Sequence, residues 1–319
     1  MTEAKIPLKK IRLYPLADES LGVRSMALYV ETPDVRIVFD PGVSLAPRRF
    51  GLPPHPSEFE AVKEARKVII RFVKRADIVT VSHFHLDHYT PDFVSWYEWT
   101  NKEIHEAIYT DKIVLVKNPK KNINYNQARR AKAFLASVEN LAEKIVIGEE
   151  ANIRLGNTVI KGLGPLPHGS ENTKLGYVVA FLVEYEDEKI IFAPDVQGPI
   201  SDSALNALLE VKPSLIVVGG PPVYLEAVKL SREDVERGIN NLRSLIARTN
   251  VIVSHHLLRV ADWKKYVGEG AKILTYADVR GLEETLLEAF RKDLYEYEPP
   301  SEDFQAWIRE KKKSGPPPI

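Results

Sequence analysis

Cysteine is absent from this chain of 319 residues. That excludes disulfides, a thiolate nucleophile and sulfur ligands, so any metal must be held by nitrogen and oxygen. Net charge is absent as well: 44 Lys and Arg balance 44 Asp and Glu, and no global field draws the protein to nucleic acid or an anionic membrane. No apolar run approaches the roughly eighteen residues of a membrane span, and the opening MTEAKIPLKKIRLYPL lacks the apolar core of a signal peptide. A soluble cytoplasmic protein without a membrane partner is the expectation. Methionine is scarce too, with only 2, and with the high charge content this leans towards a thermophile.

What is present is enough apolar material, 44% of the residues, for a substantial core. No linker or independent second domain shows towards the carboxyl end. The expected organisation is therefore one domain over 1–319, with an insertion at about 89–140 and a helical C-terminal tail.

Histidine is concentrated. Of 8 in the chain, three fall within His83-Phe84-His85-Leu86-Asp87-His88. The preceding run Ala76-Asp77-Ile78-Val79-Thr80-Val81-Ser82 reads as a buried strand that delivers His83 to its carboxyl end. If the backbone stays extended, His83 and His85 point to one side and can share an ion. Thr90-Pro91 reads as an N-cap followed by a first-turn proline, so Asp87 and His88 fold back before a helix begins there. Imidazole suits zinc, and an added carboxylate admits manganese or iron.

This segment resembles the His-x-His-x-Asp-His signature of the metallo-β-lactamase superfamily. The words DPGVSLAPRRFGLPPHP, SHFHLDHYTP and SHHLLR are also similar to an archaeal family of predicted metal-dependent hydrolases within it, and that likeness runs along nearly the whole chain. The resemblance implies a four-layer αββα sandwich, with ligands on loops at one edge. It further implies that His83, His85 and His168 hold one metal, that Asp87, His88 and His255 hold a second, and that Asp195 bridges.

Elsewhere the residues leave alternatives open. Two runs, 25–30 and 35–39, form a hairpin ending in Asp40-Pro41-Gly42. Asp40 is either a turn aspartate or, as the resemblance implies, an acceptor that fixes a histidine tautomer. The loop 44–56, with Arg48, Arg49 and His55, is a surface loop or a rim of the site. Ser57-x-x-Glu60 has the form of a capping box before an amphipathic helix. The aromatic group between Pro91 and Tyr109 reads as core, with His105 on a helix surface.

His168 ends the loop Gly162–Gly169, and a second hairpin, 177–185 with 189–192, ends in Asp195, where Gly198 permits close backbone approach. Ser231 caps a helix that runs to Arg248. Val253-Ser254-His255 repeats the pattern of Val81-Ser82-His83, which favours His255 as the last ligand. His256 is the substitute if the strand ends one residue later. Leu286, Leu287, Phe290 and Leu294 share one face of a helix over 282–297.

The chemistry expected is hydrolysis by a metal-bound hydroxide. Two divalent ions about 3.5 to 4 Å apart, most plausibly Zn2+ with Mn2+ or Fe as alternatives, lower the pKa of a shared water towards about 7. Asp87 and Asp195 are the expected catalytic carboxylates. The stretch from Lys117 to Lys132 carries basic and no acidic residues. It is either a solvated loop and helix start or a contact, through Lys120, Lys121, Arg129 and Arg130, for an anionic substrate such as a phosphodiester, ester or phosphorylated lactone. RNA is a secondary partner, since no RNA-binding module is recognisable. An iron-dependent oxidoreductase and a non-catalytic metal-stabilised binding protein are the competing classes.

Overall fold

The computed structural model describes residues 6, 8–171, 173–226, 228–268, 270–310 and 315–319. Short β-branched runs become strands because alternate side chains are buried on both faces. The first sheet contains β1 (Arg12–Asp18), β2 (Met26–Glu31), β3 (Arg36–Phe39), β4 (Ile78–Val81), β5 (Ile113–Val116) and β6 (Lys144–Ile147), in that spatial order. The second contains β7 (Asn152–Leu155), β8 (Thr158–Pro167), β9 (Tyr177–Tyr185), β10 (Glu188–Ala193), β11 (Leu215–Gly219), β12 (Asn250–Ser254) and β13 (Ile273–Leu274), again in sequence order across the sheet.

Each sheet is antiparallel over three strand pairs or fewer and parallel thereafter. In the first, β1, β2 and β3 alternate and β3 to β6 run parallel. In the second, β7 to β10 alternate and β10 to β13 run parallel. The switch strands β3 and β10 lead into Asp40 and Asp195, one and two residues beyond their ends.

Leu28, Phe39 and Ile78 of the first sheet meet Phe181, Phe192 and Val217 of the second in one apolar layer. The outer face of the first sheet is covered by α1 (Pro56–Val73), α2 (Lys102–Tyr109) and α3 (Tyr125–Val138), with Phe59, Ile69, Ile108 and Phe134 in contact. The outer face of the second is covered by α4 (Asp202–Glu210), α5 (Arg232–Ile246) and the short α6 (Lys264–Val267), through Leu208, Leu242 and Val267. This is the four-layer αββα sandwich expected. After it come α7 (Tyr276–Val279), α8 (Arg291–Tyr297) and α9 (Glu302–Arg309), the last packing Phe304 and Trp307 on Phe59.

Several local expectations are corrected. No helix begins at Pro91: Thr90 Oγ1 is committed to the Pro41 carbonyl and to Arg66, so it cannot cap. The helix starts instead at Lys102, where Asn101 Oδ1 accepts from Ile104 N at 2.8 Å. The capping box before α1 lies two residues early, formed by His55 and Glu58 with Pro56 at the first turn. His55 is thus a buried cap rather than a rim residue. His105 is buried, its Nδ1 2.9 Å from the Thr90 carbonyl. Strand β1 has no counterpart in the sequence reading, and the Gly162–Gly169 loop is mostly the end of β8. Helix α5 stops at Ile246, two residues short of the expected end. In the expected 282–297 helix only Arg291–Tyr297 is helical, and Phe290 is exposed.

Candidate metal centre

The loop after β4 is built around Asp40. This residue and Asp195 both hold left-handed backbone, with φ of 42° and 48°, a conformation that aspartate tolerates better than most side chains. Asp40 Oδ1 accepts from Ser82 N at 2.9 Å and from Thr80 Oγ1 at 3.1 Å. Its Oδ2 accepts from Ser82 Oγ and lies 2.8 Å from His88 Nδ1. Ser82 Oγ, having donated, can accept from His83 Nδ1 at 3.0 Å. One carboxylate therefore orients two imidazoles, and their Nε2 atoms face inward. The turn closes when His88 N donates to the His85 carbonyl at 3.0 Å. It passes so close to Gly42 that a Cβ there would stand 2.3 Å from Tyr89 N.

Helix α3 clamps the same loop. Gln127 Oε1 accepts from Phe84 N at 3.1 Å while its Nε2 donates to the Leu175 carbonyl at 2.7 Å. Arg130 Nη1 donates to the Phe84 carbonyl at 3.2 Å. Gln127 thus ties the histidine loop to the segment that follows His168.

The second sheet supplies the rest from the ends of β8, β10 and β12. His83 Nε2 lies 3.0 Å from His85 Nδ1 and 3.1 Å from Asp195 Oδ2, and His168 Nε2 lies 3.3 Å from the same oxygen. Across the carboxylate, His255 Nε2 lies 3.2 Å from Asp195 Oδ1, 3.4 Å from His88 Nε2 and 3.5 Å from Asp87 Oδ2. Asp195 therefore stands between the groups, its Oδ1 towards His255 and its Oδ2 towards His83 and His168, with His88 Nε2 also 3.5 Å from Oδ2. Gly198 does allow close approach, since a Cβ there would meet the Gly238 carbonyl at 2.5 Å.

Behind His255 the backing differs. Its Nδ1 lies 3.1 Å from Glu19 Oε1, and Arg259 Nε donates to that oxygen at 2.7 Å. Ser254 Oγ donates to Asp18 Oδ2 at 2.8 Å instead of serving the histidine. Hydrogen bonding separates the two neighbouring histidines. His255 Nδ1 has the Glu19 carboxylate at 3.1 Å to accept its proton, although Arg259 Nη2 lies 3.2 Å away, and its Nε2 is the atom turned to the centre. His256 Nδ1 lies 3.0 Å from Arg259 Nη1, which can only donate. His256 Nε2 must then carry the proton, 3.3 Å from Asp195 Oδ1.

The donor set fits divalent cations. Nitrogens bound to one tetrahedral zinc at roughly 2.0–2.1 Å stand roughly 3.3 Å apart, which is the spacing found here. Asp195 Oδ1 and His168 Nδ1 are buried without a hydrogen-bond partner. Burial raises the Asp195 carboxyl, yet the facing His255, His168, His256 and His88 take it well below the usual range. Burial opposes charge on His88 and His255, but the carboxylates win: Asp195, Asp40 and Asp87 raise His88 well above its ordinary value, and Glu19 and Asp195 bring His255 to about 9. Protons on these two rings thus supply positive charge that a bound cation would supply in their place, releasing them. His83 is lowered, by burial first and His88 second.

Every residue expected at the centre is brought together: His83, His85, Asp87, His88, His168, Asp195 and His255, with His256 beside them and Asp40 behind. The basic stretch is divided. Lys120 and Lys121 are exposed, whereas Arg129 and Arg130 line a cleft of about 280 Å³ with Tyr89, Asp92, Phe93 and Phe134. Glu19, Arg259, Tyr224 and Gln127 went unread. Arg259 stands four residues after His255 in SHHLLR, a usable signal; Glu19 is 236 residues away and gave none. Among the described residues no helix is long and apolar enough to cross a membrane.

Two facing sheets with imidazoles and carboxylates gathered at one edge define a class, and the family model described as a β-lactamase superfamily domain matches residues 23–244. The chain is 44% identical over 299 residues to the UPF0282 protein PAE3680 of Pyrobaculum aerophilum, covering 91% of this chain and 96% of that protein. It is 42% identical over 289 residues to the UPF0282 protein MK0213 of Methanopyrus kandleri, covering 89% and 99%. The chain belongs to the UPF0282 family of this superfamily. Among solved structures, a possible metal-dependent hydrolase from Veillonella parvula is similar at a TM-score of 0.49 and 13% identity, over 83% of this chain and 95% of that one.

Proposed function

We propose that this protein is a metal-dependent hydrolase with two cation positions, acting on a phosphodiester or another anionic ester or lactone. The observation that carries the reading is Asp195, which stands between the two donor groups, with Oδ2 towards His83, His85, His168 and His88 and Oδ1 towards His255. His83, His85 and His168 would hold one ion, Asp87, His88 and His255 the other. When bound, a pair of divalent cations supplies a nucleophile at neutral pH and polarises the bond attacked.

The chain's own residues do the rest. The side chains of His85, Asp87 and His256 are 28%, 15% and 12% exposed while that of Asp195 is 2% exposed, so substrate enters over the first three. Facing His88, His255 and Arg259, Asp87 stays ionised despite burial, far below the usual carboxylate range. Its outer oxygen accepts a hydrogen bond from the attacking nucleophile and orients it. His256 Nε2–H, fixed by Arg259 and Tyr224 behind it, donates to an oxygen of the substrate at the same rim. Histidine at position 85, in place of a carboxylate, favours zinc hydrolysis over an iron oxygen site.

The test pairs metal analysis with kinetics on an activated phosphodiester, bis(p-nitrophenyl) phosphate. Turnover that chelation abolishes and zinc or manganese restores supports the reading; a loaded protein inert on phosphodiester, ester and lactone panels overturns it. Arg129→Gln should raise KM for the anionic substrate, while Lys120→Gln with Lys121→Gln should change it less. Unchanged KM in all of them removes the anionic preference.

A further inference from the structure

Arg259 is a fixed positive charge placed against only one of the two donor groups. It is buried, 2% exposed, and held on three sides. Its Nε donates to Glu19 at 2.7 Å and its Nη1 to Tyr224 Oη at 2.8 Å. The remaining Nη2 lies 3.1 Å from His255 Nε2 and 3.5 Å from Asp87 Oδ2. Those are two of the three donors of the second position. Among the described residues no other arginine or lysine lies within 4.0 Å of a carboxylate oxygen of Asp87 or Asp195. At the first position, His83 is backed by a serine hydroxyl, and among the described residues no lysine or arginine hydrogen-bonds His85 or His168.

A guanidinium does not lose its charge, and in a dry site its repulsion of a second cation is poorly screened. Glu19 offsets part of that charge but lies on the far side, bonded to Nε and to His255 Nδ1. Resting on the metal-dependent reading above, we propose that Arg259 makes the two cation positions unequal. The His83, His85 and His168 position binds tightly, and the Asp87, His88 and His255 position binds weakly and exchanges. The purified protein then retains one ion per chain and takes up the second only at raised metal concentration.

The test is a zinc titration of the metal-free full chain in competition with a chromophoric chelator, read as two stepwise affinities. The wild type should bind its second equivalent at least about tenfold more weakly than its first. Arg259→Gln, which can still donate to Glu19, should bring the two within about threefold by tightening the second alone. Arg259→Lys, which keeps the charge, should preserve the gap. If Arg259→Gln does not fold, Glu19→Gln with Arg259→Met removes both members of the buried pair and should narrow the gap likewise. Two equal equivalents in the wild type, or a gap indifferent to the charge at 259, overturns the proposal and leaves the two-ion reading standing. No binding at all overturns both.

Discussion

His83 and His88 on one side of the centre and His255 on the other all turn an imidazole Nε2 inward, with different material behind it. On the first-sheet side His83 and His88 lean on Asp40, one of them through Ser82, and the surroundings are hydroxyls and backbone. On the second-sheet side His255 leans on Glu19, which it shares with a buried arginine. The words Val81-Ser82-His83 and Val253-Ser254-His255 look alike, yet their serines do different things: Ser82 links Asp40 to its histidine, and Ser254 turns to Asp18. Their strands also differ in place, since β4 pairs directly with the Asp40 strand while β11 separates β12 from the Asp195 strand. What sets a ligand's character is the residue behind it, and that residue is distant in sequence.

The comparison can be broken hardest at Asp195. Asp195→Ala should weaken cation binding at both positions by more than about a hundredfold, a direct ligand counting for more than its support. Loss at one position only, by metal titration, would show that the carboxylate does not join the two sides. Next is Asp40→Asn, which keeps a side chain suited to the left-handed backbone. It should cost about 10- to 100-fold in affinity, at both positions, because Asp40 serves His83 and His88 alike; an unchanged affinity would exclude it as their support.

A pH series sharpens the contrast in the metal-free protein. The His255 pKa is raised from 6.5 to about 9, on the order of 3 kcal/mol. Since the folded value lies above the unfolded one, this stability is present in full below about pH 6.5 and is lost as pH rises through about 9. Asp18, which burial pushes up to about 8, acts in the same direction. Thermal unfolding of the metal-free protein should therefore come earlier at pH 9 than at pH 6.5, and a flat profile would contradict the charged His255. The smallest effect is expected of Gln127→Leu. It leaves the Phe84 N–H without its partner, while the Leu175 carbonyl keeps the Asn124 amide, and should cost about 1–3 kcal/mol in urea unfolding.

The strand runs and the dense histidine word at 83–88 were legible from the residues themselves, whereas the sandwich and the places of His168 and Asp195 came through the resemblance. The supports were not legible. Asp40 carried a role only through resemblance, since a strand-end aspartate before proline is also ordinary turn chemistry. Glu19 and Gln127 reach the centre across the fold, from β1's far end and from α3, and no spacing rule connects them. The helix expected at Pro91 failed because Thr90 spends its hydroxyl on a partner, Pro41, that only the folded chain supplies.

The donors straddle the two sheets, four from the loop after β4 and three from the ends of β8, β10 and β12. An ion seated among them would be a rivet through the edge of the sandwich, closing a chain segment between His88 and His168 that the interior otherwise holds by apolar contact. A chain cut by protease at the exposed loop around Lys120 and Lys121 would then have its two pieces joined by the ion as well as by the β5–β6 pairing and the apolar layer, and chelation would make them easier to part in denaturant.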